Sequence, residues 1–307
     1  MPTITPGPLT PTDEIIIVAP AGPVNEDDIV RGAARIRFNV HISEGLTQRD
    51  GFFAGSPRHR ETELNAALNR PGARAILCAR GGFGITTIID RLDINALLAN
   101  PAWIIGNSDI TALLIHLWAH HRLCTIHGPM AARIATYPEC DVTDLHQILT
   151  LGYHPAPCSL MPISPGETSG PFIGGNLTML AHMMGTLPPD FADGCILFLE
   201  DVAEAPYRIE RCLIQLERNG VFKHIRGIVL GEFTRCAPGA DGVTAEEVLK
   251  RNLLPLHVPI AGGYPAAHGQ RNRPFVHGHA IALKVSETHG ELREQAPSVQ
   301  PANDRRS

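Results

Sequence analysis

Apolar and polar positions in the first half of the chain repeat one pattern: a short apolar run, a turn with small residues, and then a helical pattern. The apolar runs cover residues 14–20, 73–79 and 102–106, and each passes through a turn that contains Gly or Ser. Apolar runs of this length, separated by helices, are typical of strands buried on both faces of a parallel sheet. We therefore predict an α/β domain whose ligand sites lie at the carboxyl ends of its strands.

The second half has a different composition. Residues 151–170 are rich in Pro, Gly, Ser and Thr, which favours a linker, and we place a domain boundary near residue 165. Strands and helices then follow in mixed order, which predicts an α+β or barrel-like second domain. We expect an N-terminal domain at 1–165, a C-terminal domain at 166–290 and a disordered tail at 291–307, where no apolar period is visible.

Composition narrows the class of partner. The 307 residues are 44% hydrophobic and 19% charged, and the formal net charge of -5 offers no basic field for nucleic acid. The first residues lack the pattern of a signal peptide, and no apolar stretch reaches membrane-spanning length. Seven scattered cysteines without a C-x-x-C motif fit a reducing compartment. We predict a cytoplasmic protein that binds neither nucleic acid nor membrane.

Ser108 lies where a predicted buried strand turns sharply into a helix, in the sequence Gly-Asn-Ser-Asp. That geometry exposes a hydroxyl at the sheet edge in front of a helix N-terminus, as a nucleophile requires. Ser and Asp are also the commonest helix caps, so capping by Ser108 or Asp109 is an equally simple interpretation. The motif differs from the G-x-S-x-G of α/β-hydrolases because Ile110 replaces the second Gly.

Residues 80–84, Arg-Gly-Gly-Phe-Gly, follow the adjacent predicted strand. Successive glycines leave backbone N–H groups free to bind an oxyanion or a phosphate, although a tight strand-to-helix turn alone would explain them. The segment matches neither the Walker pattern nor G-x-G-x-x-G, so we predict no nucleotide cofactor.

Glu200 ends the apolar strand CILFLED, where a carboxylate needs a partner. It could form an ion pair with Arg208 or Arg211, or it could orient a catalytic histidine. His268 lies in a Gly- and Pro-rich loop from which a side chain can reach a site. His277 and His279 resemble a metal pair, but no third ligand accompanies them, and we predict no metal.

Several motifs resemble the LD-carboxypeptidase family, also called muramoyltetrapeptide carboxypeptidases. The resemblance runs from about residue 15 to residue 283 and is carried by FFAGSPRHRETELNAAL, ARAILCARGGFG, GNSDITAL, HGP, GGNLTML, ILFLEDVAEAPYRIERCLIQL and YPAAHG. It implies a parallel α/β domain, a smaller β-rich C-terminal domain, a homodimer, and a site in the cleft between the domains.

The resemblance also implies a role for individual residues. Ser108 matches the nucleophile, His268 the general base and Glu200 the acidic member of a triad, while the backbone N–H groups of Gly82 and Asp109 match the oxyanion hole. The implied reaction needs no cofactor and releases a terminal D-alanine from peptides or muropeptides during peptidoglycan recycling. A carboxypeptidase must also bind a terminal carboxylate, for which Arg80 and Asn176 are candidates.

Two other functions are compatible with the sequence. One is an immunity-type relative that cleaves a peptidyl or aminoacyl nucleotide conjugate, although such relatives tend to carry additional substrate loops. The other is a non-catalytic binding protein for a small molecule or nucleotide, for which Ser108 and His268 would be dispensable. The sequence departs from the family pattern at Phe83, at Asn107 and in the segment AAHGQRNRPFVHGH around His268, so substrate preference is open.

Overall fold

The computed structural model describes residues 1–266 and 268–294. The first half of the chain alternates strands and helices. The strands are β1 (Glu14–Val18), β2 (Asn39–Ile42), β3 (Ala73–Cys78), β4 (Trp103–Gly106) and β5 (Thr125–His127). The helices are α1 (Glu26–Ala33), α2 (Pro57–Leu68), α3 (Ile94–Ala99), α4 (Thr111–His121), α5 (Ala131–Ile134) and α6 (Glu139–Leu151).

The second half contains most of the remaining strands. They are β6 (Cys158–Ser164), β7 (Gly166–Asn176), β8 (Ile196–Val202), β9 (Gly227–Thr234), β10 (Ile260–Gly262), β11 (Phe275–His277), β12 (Ala280–Val285) and β13 (Gly290–Glu294). Three helices accompany them, α7 (Leu177–His182), α8 (Pro206–Arg218) and α9 (Ala245–Leu253).

The predicted combination of a mostly parallel sheet and a barrel is confirmed. The first sheet has the strand order β11-β5-β4-β3-β1-β2, and the strands β10-β6-β13-β12-β7-β8-β9 close into a barrel. The apolar residues of the inner strands β1, β3, β4 and β5 are mostly buried because helices cover the first sheet, whereas Ile42 of the edge strand β2 is exposed. In this sheet β1 to β5 are parallel. The exception is β11, which pairs with β5 in the antiparallel direction.

The predicted domain limits differ from the structure at two places. Residues 151–170, read as a linker, contain all of β6 and the start of β7, because alternate side chains of β6 enter the barrel core despite its Pro and Ser content. The predicted tail from 291 overlaps β13, where Leu292 is buried. The rest of that tail, 295–307, lies outside the described residues.

Two general properties bear on the site. All seven cysteines are free thiols, so no disulfide joins the two halves. None of the helices within residues 1–266 and 268–294 has both the length and the hydropathy that crossing a bilayer requires.

Candidate active site

Ser108 occupies a strained turn at the end of a buried strand. All four residues of β4 are buried, and after the extended Asn107 the chain enters a single 3-10 turn, Ser108–Ile110, that leads into α4. The φ angle of Ser108 is 58°, in the left-handed region that non-glycine residues rarely adopt. Such strain costs about 1–3 kcal/mol and is concentrated at functional sites, so capping alone does not explain this residue.

The Gly-rich turn packs directly against Ser108. A Cβ atom placed on Gly81 would lie 2.9 Å from Ser108 Cβ, 3.0 Å from Ser108 Oγ and 3.4 Å from the Asp109 nitrogen. The next residue, Gly82, has a φ of 100°, which an L side chain would strain. The structure therefore brings together the predicted nucleophile and the two residues whose backbone N–H groups are the predicted oxyanion donors.

The Asp109 side chain holds the two turns together. Its Oδ2 accepts a hydrogen bond of 2.9 Å from the Ile85 N–H at the end of the Gly-rich turn. Burial raises the pKa of Asp109 to about 6, although hydrogen bonds from the Ile85 and Gly84 backbone and the charge of Arg60 oppose the shift. The backbone of Asp109 is thus fixed by its own side chain.

Arg60, which the sequence analysis did not identify, is hydrogen-bonded to the end of the Gly-rich turn. It is fully buried in α2, and its guanidinium donates to the carbonyl oxygens of Pro20 at 3.0 Å and Gly84 at 2.7 Å. It also donates to Thr87 Oγ1 at 3.0 Å. The signal was present in the segment SPRHRETEL, whose Arg60 falls on the helix face that carries buried Leu64 and Ala67.

Glu200 and His268 form a hydrogen-bonded pair. Glu200 is completely buried at the end of β8, and its Oε2 lies 3.2 Å from His268 Nδ1. Burial raises the pKa of Glu200, while the hydrogen bond and the charge of His268 oppose the rise. The carboxylate accepts from Nδ1–H, which leaves Nε2 as the free nitrogen of the ring. Among the described residues Glu200 pairs with His268, whereas Arg208 pairs with Glu204 and the Arg211 guanidinium lies over the Tyr207 ring.

Direct contacts connect the Ser108 turn to this pair. Thr111, in the first turn of α4, accepts a hydrogen bond of 3.2 Å from the Asn176 N–H at the end of β7. Asn176 in turn is the register partner of Glu200 in the parallel β7–β8 ladder. Within residues 1–266 and 268–294, the side-chain hydrogen bond of His268 goes to Glu200, and none joins its ring to Ser108. In apo enzymes such contacts are often longer than in the substrate complex.

A buried histidine lies beside the pair. His127, in the HGP segment at the end of β5, is register partner of Gly106 and stacks on Phe275 at 4.9 Å between ring centroids. Burial lowers its pKa to about 3, and the charges of His277 and His268 act in the same direction. His127 is therefore a neutral, buried ring near enough to His268 to be affected by its charge, which the sequence did not indicate.

The loop that carries His268 is tied to α6. The buried Asp141 carboxylate accepts from Arg271 Nε and from the Asn272 N–H, both at 2.8 Å. Arg273 donates to the Ala156 carbonyl oxygen at 2.8 Å. These bonds hold the C-terminal end of the loop, just before β11, against the N-terminal half of the chain.

The two candidates for carboxylate binding have different surroundings. Asn176 is buried and caps α7, with its Oδ1 accepting from the Met179 N–H at 3.0 Å and its Nδ2 donating to Asp201 at 2.9 Å. Arg80 is exposed beside Gly82, and its Nη1 donates to the Pro23 carbonyl oxygen at 2.9 Å. Substrate binding by either residue stays a prediction.

The described residues contain no group of three or more His, Cys, Asp or Glu side chains arranged to hold a metal ion. His277 is fully buried, and burial lowers its pKa to about 3. His279 instead lies 3.6 Å from Glu294. The two histidines of the HGH segment thus have separate environments.

Two family models match the chain. The LD-carboxypeptidase N-terminal domain matches residues 15–128, and the LD-carboxypeptidase C-terminal domain matches residues 169–283. A putative carboxypeptidase of Synechocystis is 34% identical over 88% of this chain and 90% of its own length. The murein tetrapeptide carboxypeptidase of Pseudomonas aeruginosa is 30% identical over 88% of this chain and 92% of its own.

A more distant relative and a solved structure also match the chain. The microcin C7 self-immunity protein MccF of Escherichia coli is 27% identical over 84% of this chain and 85% of its own length. Among solved structures, the muramoyltetrapeptide carboxypeptidase from Oxalobacter formigenes superimposes with a TM-score of 0.79 at 26% identity, covering 92% of this chain and 98% of that one.

Proposed function

The chain belongs to the LD-carboxypeptidase family, and on that premise we propose that it is a serine peptidase acting on cell-wall-derived tetrapeptides. It hydrolyses the bond between an L-centre and the terminal D-alanine. The observation that carries the proposal is the buried Glu200 carboxylate hydrogen-bonded to His268 Nδ1. Asn176 and Thr111 connect this pair to the turn that contains the strained Ser108. A buried carboxylate that orients an imidazole is the arrangement a serine nucleophile needs.

In the proposed mechanism, Ser108 Oγ attacks the scissile carbonyl carbon while His268 Nε2 accepts the hydroxyl proton. The resulting oxyanion is stabilised by the N–H groups of Gly82 and Asp109, each worth about 3–4 kcal/mol at comparable sites. His268 then protonates the leaving amine, the C–N bond breaks, and D-alanine departs from an acyl-Ser108 ester. Water attacks the ester with His268 as base, which restores Ser108. Glu200 holds the imidazole in place and offsets its positive charge.

Two further parts of the proposal are a location and an assembly. The scattered cysteines favour a cytoplasmic location, where recycled wall fragments would be met. A homodimeric assembly is implied by the family resemblance alone. The resemblance also leaves a second candidate substrate, because MccF, a relative of this chain, is a microcin C7 immunity protein. We place an acyl-nucleotide conjugate second, since the murein tetrapeptide carboxypeptidase of Pseudomonas aeruginosa is 30% identical to this chain and MccF is 27% identical.

The deciding experiment measures free D-alanine released from L-Ala-γ-D-Glu-meso-diaminopimelate-D-Ala. We expect release by the native protein with or without EDTA, and a loss of about 10⁴-fold or more in Ser108→Ala. Ser159→Ala, which removes an exposed hydroxyl from β6, is the matched control. Full activity in Ser108→Ala would eliminate the serine mechanism. Cleavage of an acyl-nucleotide conjugate without release of D-alanine would select the second candidate.

A further inference from the structure

An open cavity of about 530 Å³ adjoins the Gly-rich turn. Its lining contains two arginines, two aromatic rings and no carboxylate, although the whole chain carries a net charge of -5. The lining residues are Gly22, Pro23, Arg49, Gly51, Phe52, Arg80, Gly82 and Phe83. The cavity is therefore locally positive and partly apolar, a combination suited to an anionic ligand with an aliphatic portion.

The aromatic side of the cavity is exposed but held in place. Phe52 is 64% exposed and Phe83 is 45% exposed, with ring centroids 5.9 Å apart. Phe53 contacts both rings, at 4.4 Å and 5.6 Å, and the guanidinium carbon of buried Arg60 lies 4.6 Å from the Phe53 centroid. Neighbouring exposed rings on a fixed support are typical of a binding surface.

The cavity begins next to the proposed nucleophile. Gly82 is one of its lining residues, and the preceding Gly81 packs against Ser108. Its volume lies in the range usual for small-molecule sites and exceeds what one alanine residue fills. The leaving D-alanine would occupy little of this space, so the cavity fits the larger part of the peptide, on the acyl side of the scissile bond.

Resting on the proposed function, we propose that this cavity binds the acyl side of an acidic peptide substrate. The exposed Arg49 guanidinium pairs with the α-carboxylate of the γ-linked D-glutamate, since guanidinium and carboxylate match in shape and charge. Phe52 and Phe83 cover the aliphatic chain of the following diamino acid. Arg80, fixed by the Pro23 carbonyl oxygen, supplies the second positive charge.

The test compares two peptides that differ in one group. One is the tetrapeptide with the free D-glutamate α-carboxylate, and the other carries the α-carboxamide at that position. Binding of each is measured by calorimetry to Ser108→Ala, to Ser108→Ala with Arg49→Gln, and to Ser108→Ala with Arg218→Gln. Arg218 is an exposed arginine at the end of α8, so its replacement changes the net charge equally.

We expect Arg49→Gln to weaken the carboxylate peptide about tenfold and the carboxamide peptide less than twofold, with no effect of Arg218→Gln. Phe52→Ala, as a second variant, should weaken both peptides. Equal weakening of both peptides by Arg49→Gln, no weakening of either, or no binding of either peptide would overturn the proposal. Because binding is measured without turnover, a peptide that binds as expected but is not cleaved by the native protein would refute only the proposed function.

Discussion

Substituting Gly81 by alanine tests how closely the Gly-rich turn and the nucleophile are fitted. Gly81 is outside the left-handed region, so its backbone accepts an alanine without strain. The added methyl group would lie 2.9 Å from Ser108 Cβ and 3.0 Å from Ser108 Oγ. Carbon atoms normally approach to about 3.5–4.0 Å, so either the turn or Ser108 must move by roughly 0.5–1 Å.

The size of the effect follows from that displacement. Overpacking of this kind costs about 1–3 kcal/mol, and a reacting atom misplaced by about 1 Å can lower turnover about 10²-fold. We expect Gly81→Ala to fold, to lose no more than a few kcal/mol of stability, and to release D-alanine about 10²-fold more slowly than the native protein.

The assay combines D-alanine release with urea unfolding. The matched control is Gly239→Ala, whose added Cβ would have its nearest neighbour, Asp241 Oδ1, at 3.7 Å. It should match the native protein in both measurements. If Gly81→Ala also retained native turnover and stability, Ser108 could not lie against this turn as described, and the oxyanion assignment of Gly82 would fall with it.

Three more predictions concern buried carboxylates. Burial raises the pKa of Glu200 in the folded protein, so ionisation of this carboxyl destabilises the fold as pH rises. Glu200→Gln should therefore melt no lower than the native protein at pH 8, while turnover falls by about 10⁴-fold. A large drop in melting temperature would contradict this. Because the pKa of Asp109 is raised to about 6, the free energy of unfolding of the native protein should fall as pH rises from about 4 to 6. Urea unfolding of Asp109→Asn should show no such fall, and the same pH profile in both proteins would argue against the shift. Asp141→Asn removes the negative charge that pairs with Arg271 and so loosens the His268 loop from α6. It should slow D-alanine release about tenfold and speed amide hydrogen exchange in residues 268–274. Unchanged exchange there would show that Asp141 does not restrain the loop.

The first sheet was predictable because its strands carry their own signals. Each apolar run of β1, β3 and β4 is followed by a small-residue turn, and covered parallel strands have that pattern. The place of β11 was not predictable, since a three-residue strand has no period, and its partner β5 lies about 150 residues earlier in the chain. In β6 the Pro and Ser residues concealed an alternation of buried and exposed positions.

The site also has features that could be predicted from the sequence and features that could not. Ser108 and the Gly-rich turn follow neighbouring strands, so their proximity could be expected from topology. The pairing of Glu200 with His268 depends on how a loop crosses from the barrel to the first sheet, which local pattern cannot specify. Arg60 and His127 escaped notice because their importance comes from burial, and polar residues inside a helix or a strand end look ordinary in sequence.

The position of β11 makes the two halves of the molecule depend on each other. Phe275–His277 covers the free edge of β5, so a fragment ending near residue 165 would expose an unpaired strand edge together with the apolar faces that the barrel side packs against. The same crossing requires contacts between residues far apart in the chain, which slows folding. Separately expressed halves should therefore aggregate, and the protein should unfold in one cooperative transition.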